Sequence, residues 1–159
     1  MIKRVTSNSL NQLSENAQNA ARHRAHLNVH EQLDSNVQRL FIATEPATYI
    51  RPHRHSQAHK WEFFTVIEGE MELLLFDDAG KITHRETMSP KSLRSVEIPP
   101  GVWHSYICKK SGTQALEIKE GAYIVSDISD FLPSSPADNS PEVEKYLEWM
   151  KTAEATKHT

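Results

Sequence analysis

"RPHRHSQAHKWEFFTVIEGE", residues 51–70, places His53, His55, His59 and Glu62 within ten residues and then runs into an apolar segment. Whether these side chains converge on one point or decorate a strand surface decides how the chain is read. Side chains on an extended strand alternate faces, so His53 and His55 point the same way, about 7 Å apart. The same parity puts Tyr49 and Arg51 on their face, and Glu62, Phe64 and Val66 together on the next strand. His104 follows Pro99-Pro100-Gly101, a turn signal that opens a later strand, and Tyr106 and Cys108 share its face. If these faces look into one interior, three imidazoles and a carboxylate meet there. That donor set suits one divalent first-row transition metal ion (Fe, Mn, Ni, Co or Zn) with positions open for water or a ligand. An inward carboxylate also needs a partner, which an ion supplies.

The rest of the chain reads as a frame for this segment. From Val37 to Lys119, short β-rich runs ("VQRLFIA", "ATYIRPH", "WEFFTVIE", "EMELLLF", "KITHRETM", "SVEIP", "WHSYIC", "ALEIK") alternate with turn signals such as Glu68-Gly69 and Asp78-Ala79-Gly80. Many short strands at close spacing predict a sandwich or barrel. Before them, Leu10, Leu13, Ala17 and Ala20 recur at helical spacing after polar residues suited to a cap. After them, Pro141 opens a segment with Val143, Tyr146, Leu147 and Met150 on one face. The expectation is one domain over 1–159, with a helix at about 8–22, a barrel at about 37–125 and a second helix at about 141–154.

Composition narrows the function classes. The chain has 38% apolar and 25% charged residues, which predicts a folded protein. A net charge of −3 gives no global attraction to nucleic acid, and no apolar run approaches a membrane span. No nucleic acid and no membrane are therefore expected as partners. Cys108 is the sole cysteine, which excludes an intrachain disulfide and fits a reducing cytoplasm.

"HRHSQAHKWEFFTVIEG" resembles the first cupin motif, and "PPGVWH" is similar to the core of the second, in the right order and separated by "EMELLLFDDAGKITHRETM". The resemblance implies an all-β cupin double-stranded β-helix (jelly-roll) barrel, with His53, His55, Glu62 and His104 as metal ligands. Further stretches, "VQRLFIATEPATYIRPHRH", "ALEIKEGAY" and "SPEVEKYLEWM", extend it to WbuC-type cupin metalloproteins, associated with bacterial surface-polysaccharide (O-antigen) gene clusters. Six residues separate His55 from Glu62, a longer gap than cupins usually have, and His59 within it is an alternative ligand. Ala47 stands where a glycine often precedes the first motif, and Cys108 where an asparagine often follows the second.

Around the ligands, Arg51, Tyr49 and Tyr106 are the candidates for substrate binding, and Tyr49, Tyr106 and His59 for proton transfer. Plain alternatives stand beside them: Arg51 as the partner of a barrel carboxylate, Glu62 as the surface partner of Lys60, and the aromatic residues as core. His23, His26, His84 and His158 read as surface residues. The expected function is a metal-dependent enzyme acting on a small polar metabolite such as a sugar or sugar nucleotide. The alternative is a non-catalytic module that binds a metal and a small molecule. A small-molecule ligand is expected in either case, and a homodimer formed through sheet edges is plausible.

Overall fold

The computed structural model describes residues 2–156; His158 lies outside them. Helix α1 spans Ser7–Asn19, followed by β1 (Arg24–Asn28), β2 (Val37–Thr44), β3 (Glu62–Glu68), β4 (Met71–Phe76), β5 (Ile82–Met88), β6 (Ser95–Ile98), β7 (His104–Cys108) and β8 (Thr113–Glu120). A short 3-10 turn, Ile128–Asp130, precedes helix α2, Val143–Thr152. The strands form two antiparallel sheets, ordered β1-β2-β8-β3-β6 and β5-β4-β7, that face each other as a jelly-roll sandwich.

Alternation builds the interior. Leu40 and Ile42 of β2, Phe64 and Val66 of β3, Met71 and Leu73 of β4 and Tyr106 of β7 form the apolar core between the sheets. "MELLLF" has no polar alternation because β4 is buried on both sides: Leu74 and Phe76 point outward, beneath Leu147 and Met150 of α2. The other sheet is covered by α1, whose Leu13 and Ala17 pack on Ala43. A capping box starts α1: Ser9 N–H donates to the Thr6 hydroxyl at 3.2 Å, and Thr6 N–H to the Ser9 hydroxyl at 2.8 Å. Arg85 ties α2 to its sheet, donating from Nη1 to the Met150 carbonyl at 2.9 Å while pairing with Glu72 at 2.5 Å.

Three features depart from the sequence reading. Helix α1 ends at Asn19, not near 22, because Ala20 is extended and His23 turns the chain with φ of 53° into β1. Strand β1, "RAHLN", pairs with β2 but carries little apolar signal, as befits an edge strand. Conversely, "ATYIRPH" forms no ladder. Residues 45–61 run outside the named strands, touching β7 through an isolated bridge between His53 and His104. Pro52 has no N–H to give a ladder.

Candidate metal centre and its cleft

Three elements bring the donors together. The irregular segment before β3 carries His53 and His55, the first residue of β3 is Glu62, and the first residue of β7 is His104. One ligand atom from each of the four lies within 4.8 Å of all the others. Two donors on opposite sides of one ion are at most about 4.2 Å apart, so the cluster is near the right size.

Hydrogen bonds at the back of the rings fix which nitrogens face the centre. His53 Nδ1–H donates to the Arg51 carbonyl and His104 Nδ1–H to the Val102 carbonyl, each at 2.9 Å. This leaves Nε2 of each ring unprotonated in the neutral imidazole. His104 is fully buried, and its Nε2 has no hydrogen-bond partner, a costly arrangement that a bound cation would resolve. His55 Nε2 lies 2.9 Å and His104 Nε2 3.6 Å from Glu62 Oε2. Burial by itself would push the Glu62 carboxyl up, but the imidazoles of His104 and His55 outweigh it and hold it well below the usual carboxylate range. Burial, reinforced by the charge of His104, pushes His53 well below the usual imidazole range, toward the neutral form that ligates metals. The donor set fits a divalent transition metal, and the cluster can hold one.

The other candidate residues are placed differently. Tyr106 is buried, stacked on Phe64 with ring centres 4.1 Å apart, and its hydroxyl donates to Glu62 Oε1 at 3.1 Å. It orients the carboxylate and does not line the open cleft. Tyr106→Phe is therefore expected to keep the fold and weaken divalent-metal affinity by about 10-fold, within the range for lost outer hydrogen bonds. Equilibrium dialysis with metal quantification reads this, and unchanged affinity would show that the hydroxyl has no such role.

Tyr49, expected beside His53, instead sits in the outer core under α2, donating to the Pro136 carbonyl at 2.9 Å. Strand parity failed there because residues 45–61 form no ladder: Ile50 packs on the inner core while Tyr49 packs outward. His59 is exposed on a turn closed by Lys60 N–H donating to the Gln57 carbonyl, and it stands outside the four-residue cluster. Lys60 is not the partner of Glu62; its Nζ donates to the Ala122 carbonyl at 3.0 Å.

His53 and His55 form part of the floor of a cleft of about 730 Å³. Arg24, His26, Arg51, Glu117 and Lys119 are among its lining residues. Sequence reading missed Arg24, Glu117 and Lys119 as site residues. A signal for two of them existed: in "ALEIKEGAY", Ala115, Glu117 and Lys119 share one strand face, and Ala115 lies in the core. Glu117 and Lys119 form a 2.5 Å ion pair. Burial pushes the Glu117 carboxyl up despite the neighbouring ammonium.

Residues 5–88, just over half of the chain, match the family described as a domain of unknown function (DUF6016). The chain belongs to that family. The DUF6016 match contains His53, His55 and Glu62 and ends before His104. No curated protein matches the chain. Among solved structures, KdgF from Halomonas sp. superposes with a TM-score of 0.51 at 13% identity, over 63% of this chain and 82% of that one. A mutant of Bacillus subtilis oxalate decarboxylase OxdC gives 0.50 at 18% identity, over 69% of this chain but only 28% of the decarboxylase. At these identities the likeness is one of fold, and the fold is that of the cupins. No helix among the described residues is long and apolar enough to cross a membrane.

Proposed function

We propose that this chain is a metal-dependent cupin enzyme of the WbuC type. In this reading its sandwich closes as a jelly-roll barrel in one domain. It acts in the bacterial cytoplasm on a small polar metabolite, such as a sugar or sugar-nucleotide intermediate of surface-polysaccharide synthesis. The observation that carries the reading is the convergence of His53, His55, Glu62 and His104 on one cluster, two of whose members, His53 and His55, line a cleft large enough for such a molecule. The motif resemblance supports the same reading. His53, His55, Glu62 and His104 would hold the ion, which when bound supplies Lewis-acid polarisation of a carbonyl or hydroxyl oxygen. Tyr106 holds Glu62 in place through its hydroxyl. Glu117, which also lines the cleft, pairs with Lys119 at 2.5 Å, while burial pushes its carboxyl up.

A second reading, a non-catalytic module for metal and small-molecule binding, is favoured by one observation. Tyr49 and His59 stand away from the cluster, and the Tyr106 hydroxyl is engaged by Glu62. Metal analysis of protein purified without added metal, followed by incubation of the metal-loaded protein with sugars and sugar nucleotides, separates the two. Turnover supports the enzyme, binding without turnover supports the module, and protein that takes up no metal removes both. Gel filtration tests the proposed homodimer.

A further inference from the structure

The cleft above the cluster is unevenly charged. The half-buried cations Arg24, Arg51 and Lys119 line it, with Arg22 nearer the rim. Only two carboxylates line it with them, Glu117 and Asp138. Glu117 is occupied by Lys119 at 2.5 Å, and Asp138 is shared by Arg22 and Arg24, the latter at 3.8 Å. Arg51 is the cation left over: among the described residues no carboxylate lies within ion-pair distance of it. Holding a partly desolvated guanidinium without an anion is unfavourable, and proteins seldom keep one without a use.

Arg51 is also held in place. Its Nε donates to the Ser135 hydroxyl and its Nη2 to the Ser135 carbonyl, both at 3.1 Å, and its guanidinium carbon lies 4.6 Å from the centre of the Phe131 ring. Ser135 is itself buried and anchored, its hydroxyl donating to the Leu132 carbonyl at 2.6 Å. These two hydrogen bonds leave further N–H donors of the five on the guanidinium. The Arg51 carbonyl accepts from His53 Nδ1, so this residue is joined through one hydrogen bond to the metal cluster. A planar donor, fixed in orientation, without a carboxylate partner and next to the candidate centre, is suited to a carboxylate or phosphate.

We infer that the ligand of this cleft is anionic and that Arg51 is the specificity-determining residue that binds its carboxylate or phosphate group. For the identity of the neighbouring centre this rests on the metal reading above, but the anion contact belongs to Arg51 itself. Leu40, Ile42 and Ile50, which also line the cleft, provide apolar wall for the body of the ligand.

The test is calorimetric titration of zinc-loaded and metal-free protein with inorganic phosphate, glucose 1-phosphate, glucuronate and glucose. Wild type, Arg51→Gln and Arg51→Lys are compared, with thermal melts confirming that each is folded. At least one anion is expected to bind more tightly than glucose. Arg51→Gln should weaken that anion about tenfold or more, the cost of a charge-assisted contact, and Arg51→Lys should recover part of the loss. Preference for glucose 1-phosphate or for glucuronate identifies the group. The inference is overturned if glucose binds as well as the anions, if no anion binds at millimolar concentration, or if Arg51→Gln binds like wild type. Zinc quantified in the same samples separates the two readings. Zinc bound without Arg51-dependent anion binding removes only the role of Arg51. Arg51-dependent anion binding without zinc uptake removes only the metal centre.

Discussion

His104→Ala is expected to reduce divalent-metal affinity by more than the about 10–100-fold that loss of a supporting hydrogen bond costs. Among the four donors, His104 alone comes from β7, in the three-stranded sheet; Glu62 opens β3 of the other sheet, and His53 and His55 lie on the segment before it. Its fully buried Nε2 has no hydrogen-bond partner and faces the centre, 3.6 Å from Glu62 Oε2. The fold is expected to survive, because the core between the sheets is built from apolar residues of β2, β3, β4 and β7, independent of any ion. Any catalytic activity should fall with the metal. His84→Ala is the control: it lies exposed on β5, and its Nδ1 is 3.2 Å from the Thr83 hydroxyl. Equilibrium dialysis with metal quantification and thermal melts on both variants makes the comparison. Full occupancy in His104→Ala, or loss in His84→Ala, would mean that other histidines bind the metal.

The second large effect concerns the turn between β3 and β4. Gly69→Ala is expected to destabilise the protein by about 2–6 kcal/mol, combining about 1–3 for a left-handed backbone with about 1–3 for overpacking. Gly69 has φ of +80°, and a Cβ there would lie 2.3 Å from Thr113 Oγ1 and 2.8 Å from Thr113 Cα. Neither atom yields easily. Thr113 is completely buried, its hydroxyl donates to the Lys110 carbonyl at 2.6 Å, and its backbone belongs to β8. Gly101 isolates the backbone part of the cost, since its φ is +81° but nothing lies within 4 Å of its Cβ position. Urea denaturation of Gly69→Ala and Gly101→Ala should therefore show a clearly larger loss for the first. Equal losses would leave the contact with Thr113 without energetic weight.

Much of the architecture was legible because it is written in local periodicity. The short runs "VQRLFIAT" and "EFFTVIE", rich in β-branched and aromatic residues, are β2 and β3, and with a side-chain period of two Leu40, Ile42, Phe64 and Val66 point inward. The same period put Glu62 on the inner face of β3, and the Pro-Pro-Gly turn marked the strand that starts at His104.

Where the chain leaves the ladder, periodicity has no hold. Tyr49 points away from His53 because residues 45–61 are shaped by contacts with distant parts of the chain, including the Pro136 carbonyl, and not by strand pleating. Strand β1 escaped notice because "RAHLN" joins the sheet by backbone pairing with β2, which any sequence of suitable shape can make. By itself, then, the sequence determined which residues could serve as donors and which strand faces are apolar, since both depend on residue type and a spacing of two. Only the tertiary structure decided which charges share the cleft. Arg51 meets Ser135 across 84 residues, and the Tyr106 hydroxyl meets Glu62 across 44. Such contacts depend on how strands and loops distant in sequence pack together, which no local pattern encodes.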